Sequence, residues 1–194
     1  TCSLAEMDDV VERAKAANIP ITVSYSRHWG PHVIRMAELI KGGLVGEIRS
    51  VVGYCGNGFV SFASHTTDMI CQFAGYRPTA VFANGRVPEV EVPEGFEPEP
   101  VLQNMLIEFE NGVSGTQVGF KGQSFMFYCE VTGTEGVAVI PFYGEPTLFD
   151  KDSKPVDLSP HGFPMKPLSP FKLAYNQIAA ALDGGPQADC TNED

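Results

Sequence analysis

Positive charge, cysteine and long apolar runs are all scarce in this sequence of 194 residues. Thirteen Lys and Arg stand against 24 Asp and Glu, and the net charge of −11 disfavours binding to nucleic acid or to an anionic membrane surface. No apolar run approaches the roughly 20 residues that cross a bilayer, so no membrane span is expected. The five Cys are scattered and form no CxxC pair, which favours a reduced, cytoplasmic compartment over a disulfide or zinc scaffold.

A dinucleotide-binding motif is also missing. The stretch Gly53–Gly58 is rich in glycine but does not have the GxGxxG order, so no cofactor-binding residues are predicted within this chain. The remaining composition, 43% hydrophobic and 19% charged, is that of a globular protein with a buried core.

The N-terminal segment carries clear helix signals. Ser3 and Glu6 form a capping box, which predicts a helix that ends before Pro20. The β-branched run at residues 21–25 then predicts a short strand. A helix that leads into a buried strand is half of an α/β repeat, so residues 1–24 are interpreted as the end of a larger α/β domain.

The rest of the chain changes from helices to strands near Thr79. Helices are predicted from Pro31 to Gly42 and from about Ser64 to Ala74, with a strand at 48–55 between them. Further strands are predicted at 79–84, 102–110, 113–120, 125–132 and 137–141, before a last helix at 171–182. Because Asn111-Gly112 is a strong hairpin signal and successive hairpins build antiparallel sheets, the sequence predicts an α+β fold with an open, predominantly antiparallel sheet.

The sharpest candidate site lies in residues 61–68. His65 falls in the first turn of a predicted helix, where the helix dipole disfavours the imidazolium and leaves a neutral base near pH 7. Asp68, one turn later, can orient the imidazole or stabilise the start of the helix. The alternative is a surface histidine beside a favourable first-turn aspartate.

A second candidate site follows the strand predicted at 21–25. Tyr25, Arg27 and the single Trp29 stand where ligands bind in open α/β sheets, and an arginine can hold a carboxylate or phosphate in bidentate fashion. The alternative is a turn in which Trp29 only packs. His28 and His32 have the spacing of helical metal ligands, but the Gly and Pro between them break the helix, so no metal site is predicted.

In order along the chain, these segments resemble the glucose–fructose oxidoreductase/inositol dehydrogenase (Gfo/Idh/MocA) family. The matching segments are residues 3–27, 39–48, 65–68 with Gly75, and 131–136. The resemblance implies a two-domain oxidoreductase whose Rossmann domain binds NAD or NADP and carries a catalytic Lys. Residues 1–24 would then be the last helix and strand of a truncated Rossmann domain. Residues 25–194 would form the substrate-binding and oligomerisation domain.

The family resemblance also implies roles for individual residues. In that family an Asp four residues before the His shares in proton transfer, and His65 matches the His. Ser61 stands at the Asp position, where it can form a hydrogen bond but cannot carry the negative charge. Arg27 matches a recurrent Arg near the substrate or nicotinamide. Tyr25, Trp29 and Asp68 complete the predicted substrate site, with a structural role as the alternative for Asp68.

The sequence therefore predicts part of an NAD(P)-dependent oxidoreductase that acts on a sugar, cyclitol or related polyol. The chain alone is expected to be inactive, since it lacks the dinucleotide loop and the Lys. The alternative is a non-catalytic ligand-binding or dimerisation module of the same fold. One sheet face has no predicted helix to cover it, so a homo-oligomer through that face is expected.

Overall fold

The computed structural model describes residues 3–56, 58–75, 77–120, 127–186, 188 and 190. Its helices are α1 (Leu4–Ala16), α2 (Pro31–Lys41), α3 (Ser64–Ala74) and α4 (Pro170–Leu182). Its strands are β1 (Ile48–Gly56), β2 (Pro78–Arg86), β3 (Val101–Phe109), β4 (Ser114–Phe120), β5 (Tyr128–Gly133), β6 (Gly136–Pro141), β7 (Thr147–Asp150) and β8 (Pro155–Val156). A π-helical turn, Phe59–Ala63, runs directly into α3, and a 3-10 turn spans Ser159–His161.

The helix ends follow the local signals in the sequence. The Ser3 hydroxyl accepts a hydrogen bond from the backbone N–H of Glu6 at 3.2 Å, which confirms the predicted cap of α1. Pro31 is the first residue of α2, and Gly75 ends α3 in a left-handed conformation with φ 69°. Each of these interactions involves residues only a few positions apart.

The strand predicted at 21–25 is wrong. Only Thr22 forms a single β-bridge there. The Val23 N–H donates to the carbonyl of Cys190 at 2.8 Å, but the described residues supply no ladder of neighbours for a strand. The apolar side of α1 is also left uncovered, with Leu4 75% exposed.

The eight strands form one sheet in the order β2-β3-β4-β1-β5-β6-β7-β8. β1 and β4 run parallel, and the other neighbouring pairs are antiparallel. The predicted hairpin at Asn111-Gly112 joins β3 to β4, with Gly112 at φ 82°. The expected open, predominantly antiparallel sheet is therefore confirmed. The strand predicted at 125–132 begins at Tyr128, and residues 125 and 126 lie outside the described residues.

Helix α3 packs closely on one face of the sheet. Gly53 of β1 permits this approach, because a Cβ there would overlap the Thr66 methyl and lie 3.0 Å from Cδ1 of Ile70. Gly115 of β4 has the same role, since its Cβ would lie 2.9 Å from Cγ2 of Ile70. The main core forms between α2, α3 and this face, and includes Met36, Val51, Ile70, Ile107, Val131 and Ile140.

The opposite side of the sheet is here called the open face. One row of register-paired residues runs across it from β2 to β6: Phe82, Leu106, Thr116, Val52, Glu130 and Val139. Phe82 is 65% exposed and Leu106 is 39% exposed. The Tyr54 and Tyr128 rings stack on this face with centroids 4.5 Å apart. The row is therefore apolar in part and accessible.

Two further features concern the helices as membrane spans and the state of the cysteines. Among the described helices, none has the length and apolar character needed to span a bilayer. The described cysteines, Cys55, Cys71, Cys129 and Cys190, are free thiols. Burial raises the pKa of the Cys71 thiol to about 11, so this thiol is protonated and unreactive near neutral pH.

Candidate active site

The two candidate clusters predicted from the sequence meet in space. Tyr25, in the segment before α2, lies edge-on to the His65 ring with centroids 5.6 Å apart. The ring of Phe127, just before β5, also lies edge-on to the His65 ring, with the two centroids 6.4 Å apart. The first turn of α3 therefore faces the turn that carries Tyr25 and Arg27.

Arg27 lies against two aromatic rings. Its Cζ is 4.7 Å from the centroid of Phe127 and 4.8 Å from that of Phe142. Its Nη1 donates to the Ser26 hydroxyl at 3.0 Å, and its Nε is buried without a partner among the described residues. Cation–π contacts of this kind hold a guanidinium in place without neutralising its charge.

The imidazole of His65 is a base suited to neutral pH. Burial lowers its pKa from the ordinary value, the positive charge of Arg27 lowers it further, and the carboxylate of Asp68 opposes both. Its Nδ1 is buried and has no hydrogen-bond partner among the described residues. The sequence predicts a lowered pKa from the helix dipole, and in the structure burial and the nearby cation also lower it.

Asp68 is joined to His28 rather than directly to His65. The Nδ1 of His28 lies 3.1 Å from Oδ2 and 3.2 Å from Oδ1 of Asp68, and both side chains are almost fully buried. The Cys190 thiol donates toward Oδ1 at 3.6 Å. Burial raises the pKa of Tyr25, and the nearby Asp68 carboxylate raises it further, so the phenol stays protonated.

The same three side chains are the metal-ligand candidates among the described residues. His28, Asp68 and Cys190 each offer one ligand atom, and these three atoms lie within 4.8 Å of one another. An imidazole nitrogen, a carboxylate oxygen and a thiol sulfur are donors that zinc accepts. Hydrogen bonds among them account for the cluster without an ion. The neighbouring His32 is turned elsewhere, because its Nε2–H donates to the carbonyl of Pro141 at 2.7 Å.

Ser61 bonds to a residue that sequence reasoning missed. Its hydroxyl donates to Oε2 of Glu99 at 3.0 Å. Oε1 of Glu99 accepts from the backbone N–H groups of Val60 at 2.8 Å and of Ser61 at 2.6 Å. The carboxylate that Ser61 cannot supply therefore stands beside it, at the positive end of the helix that carries His65.

Trp29 packs in the protein interior, as the alternative interpretation of this residue predicts. The indole is fully buried and packs with Ala174 of α4 and with Ala188 and Cys190. No part of it is accessible to a substrate in this structure, so the packing interpretation accounts for it. Tyr25, Arg27, His65 and Asp68 are thus gathered at one place, while Trp29 and Ser61 face other partners.

The sheet order and the helix placement define a fold that this chain shares with solved structures of oxidoreductases. One similar structure is an aldose-aldose oxidoreductase from Caulobacter crescentus complexed with glycerol, with TM-score 0.75 and 16% identity over 98% of this chain and 62% of that one. A second is levoglucosan dehydrogenase complexed with NADH and L-sorbose, with TM-score 0.71 and 20% identity over 97% of this chain and 63% of that one.

A third similar structure is an oxidoreductase from Agrobacterium radiobacter in complex with NAD+, L-tartaric acid and magnesium, with TM-score 0.68 and 16% identity over 100% of this chain and 64% of that one. The chain thus spans less than two thirds of the length of these structures. The sequence matches no protein-family model and no curated protein. The predicted resemblance is therefore confirmed in the fold.

Proposed function

We propose that this chain is the substrate-binding domain of an NAD(P)-dependent oxidoreductase that acts on a sugar, cyclitol or related polyol. The observation that carries the proposal is the position of the His65 imidazole at the start of α3, edge-on to Tyr25 and against the Phe127 ring that also contacts Arg27. The ligands of the similar structures, glycerol, L-sorbose and L-tartaric acid, are all polyhydroxy compounds and support this substrate class.

The described residues contain no glycine-rich phosphate-binding loop, so they fit the substrate side of the reaction and not the dinucleotide. In the proposal NAD or NADP is held mainly by a separate nucleotide-binding domain and supplies the hydride acceptor. Residues 1–24 belong to the end of that domain, and residues 25–194 bind the substrate.

His65 moves the proton in the proposed reaction. As the carbinol carbon loses hydride, the hydroxyl proton passes to the neutral imidazole, which a lowered pKa keeps available as a base. The Asp68 carboxylate favours the imidazolium that forms, since it acts on the His65 pKa in the raising direction. Tyr25 bounds the ring on one side, and its protonated phenol can donate to a substrate oxygen.

A second candidate function is a non-catalytic ligand-binding or dimerisation module of the same fold. The observation that favours it is Ser61, whose hydroxyl bonds to Glu99 and not to His65. A His65 without an orienting partner on Nδ1 is also what a site that has lost its chemistry would show.

Replacement of His65 distinguishes the two functions. In the full-length enzyme that the proposal implies, His65→Ala lowers turnover by about 100-fold or more, because proton transfer is lost. His161→Ala, in the 3-10 turn and outside the site, is the matched control and keeps the wild-type rate. An unchanged rate in His65→Ala would instead favour the non-catalytic module.

Two further parts belong to the proposal. The chain of 194 residues on its own oxidises no polyol with NAD or NADP, and turnover by the purified chain would contradict this. Copies of the chain associate through the open face, which presents the same partly apolar row on each copy and can bury it against itself.

A further inference from the structure

Arg27 has unused hydrogen-bond donors. A guanidinium carries five N–H groups, and only one of them meets a protein acceptor among the described residues, the Ser26 hydroxyl at 3.0 Å. The buried Nε has no partner, and no described carboxylate lies within ion-pairing distance of Arg27. The remaining donors are therefore free to bond to water or to a ligand.

Arg27, Arg77 and Arg86 have no carboxylate partner among the described residues, and of these three only Arg27 is half-buried. Arg13, Arg35 and Arg49 pair with surface carboxylates at 3.3, 2.9 and 3.1 Å, although exposed pairs contribute little to stability. Acidic groups outnumber basic groups 24 to 13 in the sequence. Arg27 is half-buried, so its unpaired charge costs more free energy than a surface charge does.

The two aromatic rings fix the guanidinium in one position. Phe127, which is only 5% exposed, and Phe142 each lie within 4.8 Å of the Arg27 Cζ. A guanidinium held against rings keeps its in-plane N–H groups, which match the two oxygens of a carboxylate. In a partly dehydrated site such a charge-assisted contact is stronger than in water.

We infer that the substrate carries a carboxylate beside its hydroxyl groups, and that Arg27 binds that carboxylate in bidentate fashion. The inference rests on the proposed function and narrows its substrate class to sugar acids or polyol acids. Arg27 and His65 lie against the same Phe127 ring, with the Arg27 Cζ 4.7 Å and the His65 ring centroid 6.4 Å from its centroid, so a carboxylate at Arg27 brings a neighbouring carbinol carbon toward the imidazole.

A carboxylate fits this site better than a phosphate. Among the described residues, Arg27 is the one cation that lowers the pKa of His65, so this part of the chain places a single positive charge beside the base. A carboxylate brings one negative charge, whereas a phosphate monoester carries up to two near neutral pH. The single guanidinium therefore matches the carboxylate in charge as well as in planar shape.

Calorimetric titration of the 194-residue chain tests the inference with matched ligands. The pairs are D-galacturonate with D-galactose, D-glucuronate with D-glucose, and D-gluconate with D-glucitol, and D-galactose 6-phosphate is the phosphate probe. At least one acid is expected to bind about 10- to 100-fold more tightly than its neutral counterpart. Arg27→Gln lowers the affinity for the acid to that for its neutral counterpart and so removes the preference.

Two further variants make the result specific. Arg27→Lys keeps the charge but loses the planar fork, so it retains only part of the preference. Arg49→Gln changes the net charge by the same amount at an exposed position and keeps the full preference. Thermal unfolding checks that each variant is folded, and Arg27→Lys provides the test if Arg27→Gln does not fold.

The outcomes separate this inference from the proposed function. If neutral ligands bind as tightly as acids, if the phosphate probe binds most tightly, or if Arg27→Gln keeps the preference, the inference is overturned and the proposed function stands. If no sugar or polyol binds and the full-length enzyme oxidises none, both fail together.

Discussion

The imidazole Nδ1 of His28 lies 3.1 Å from the Asp68 carboxylate, across 40 residues of sequence. Their side chains are only 11% and 13% exposed. His28 belongs to the turn that carries Arg27, and Asp68 lies one turn after His65 in α3. The pair therefore fixes the turn with the guanidinium against the helix with the proposed base.

Loss of this pair is expected to destabilise the protein. Asp68→Ala should lower the free energy of unfolding by about 1.5–3 kcal/mol, because hydrogen bonds to a nearly buried charge are lost. Urea unfolding measures the change. Asp8→Ala, an exposed position in α1, is the control and should stay within about 0.5 kcal/mol of wild type. Equal stability of the two variants would show that the His28–Asp68 pair contributes nothing measurable.

The protonation of His65 is expected to make stability depend on pH. Its pKa in the folded protein lies below the ordinary 6.5, so the unfolded chain binds the proton first as the pH falls. The contribution of the neutral His65 ring to the free energy of unfolding is complete above about pH 6.5 and is lost progressively below it. Melting temperatures measured from about pH 7.5 to about pH 5 should therefore fall more for wild type than for His65→Gln. Parallel curves would contradict the burial of His65.

Any side chain at Gly53 is expected to lower the free energy of unfolding, because α3 packs directly on β1 there. Gly53→Ala should cost about 1–3 kcal/mol, because the new Cβ overlaps the Thr66 methyl and crowds Ile70. Thr66→Ser removes that methyl, so the double variant should lose less stability than the sum of the two single variants. Chemical denaturation of all four proteins measures this coupling. Strict additivity would mean that the helix and sheet move apart instead.

The open face is expected to mediate self-association. Light scattering of wild type should give a mass above the 21.0 kDa of one chain. Leu106→Lys places a charge beside Phe82 in the row of the open face and should shift the protein to monomer. Leu182→Lys, at the exposed end of α4, should leave the mass unchanged. A wild-type monomer across a wide concentration range would disprove this assembly.

Sequence reasoning placed some site residues well and missed others for a physical reason. His65 was predicted at the start of a helix, and α3 does begin at Ser64 and is ended by Gly75, but the Ser64 hydroxyl caps no backbone N–H and donates instead to the Val60 carbonyl. Glu99 was only one of five glutamates in a proline-rich loop, and nothing near it in sequence shows that it bonds to Ser61. Trp29 follows the strand predicted at 21–25, where ligands bind in open α/β sheets, yet α4, far along the chain, covers it.

The sequence by itself determined the helix bounds and the hairpin at Asn111-Gly112, because caps, prolines and turn glycines act on neighbours within a few residues. Only the tertiary structure decided which side chains form the site. The parallel pairing of β1 with β4 and the antiparallel pairing of β1 with β5 set where α3 and Phe127 lie. Those pairings bring Arg27 beside a ring 100 residues away. Such contacts depend on how the whole sheet and its helices pack, and no local pattern encodes them.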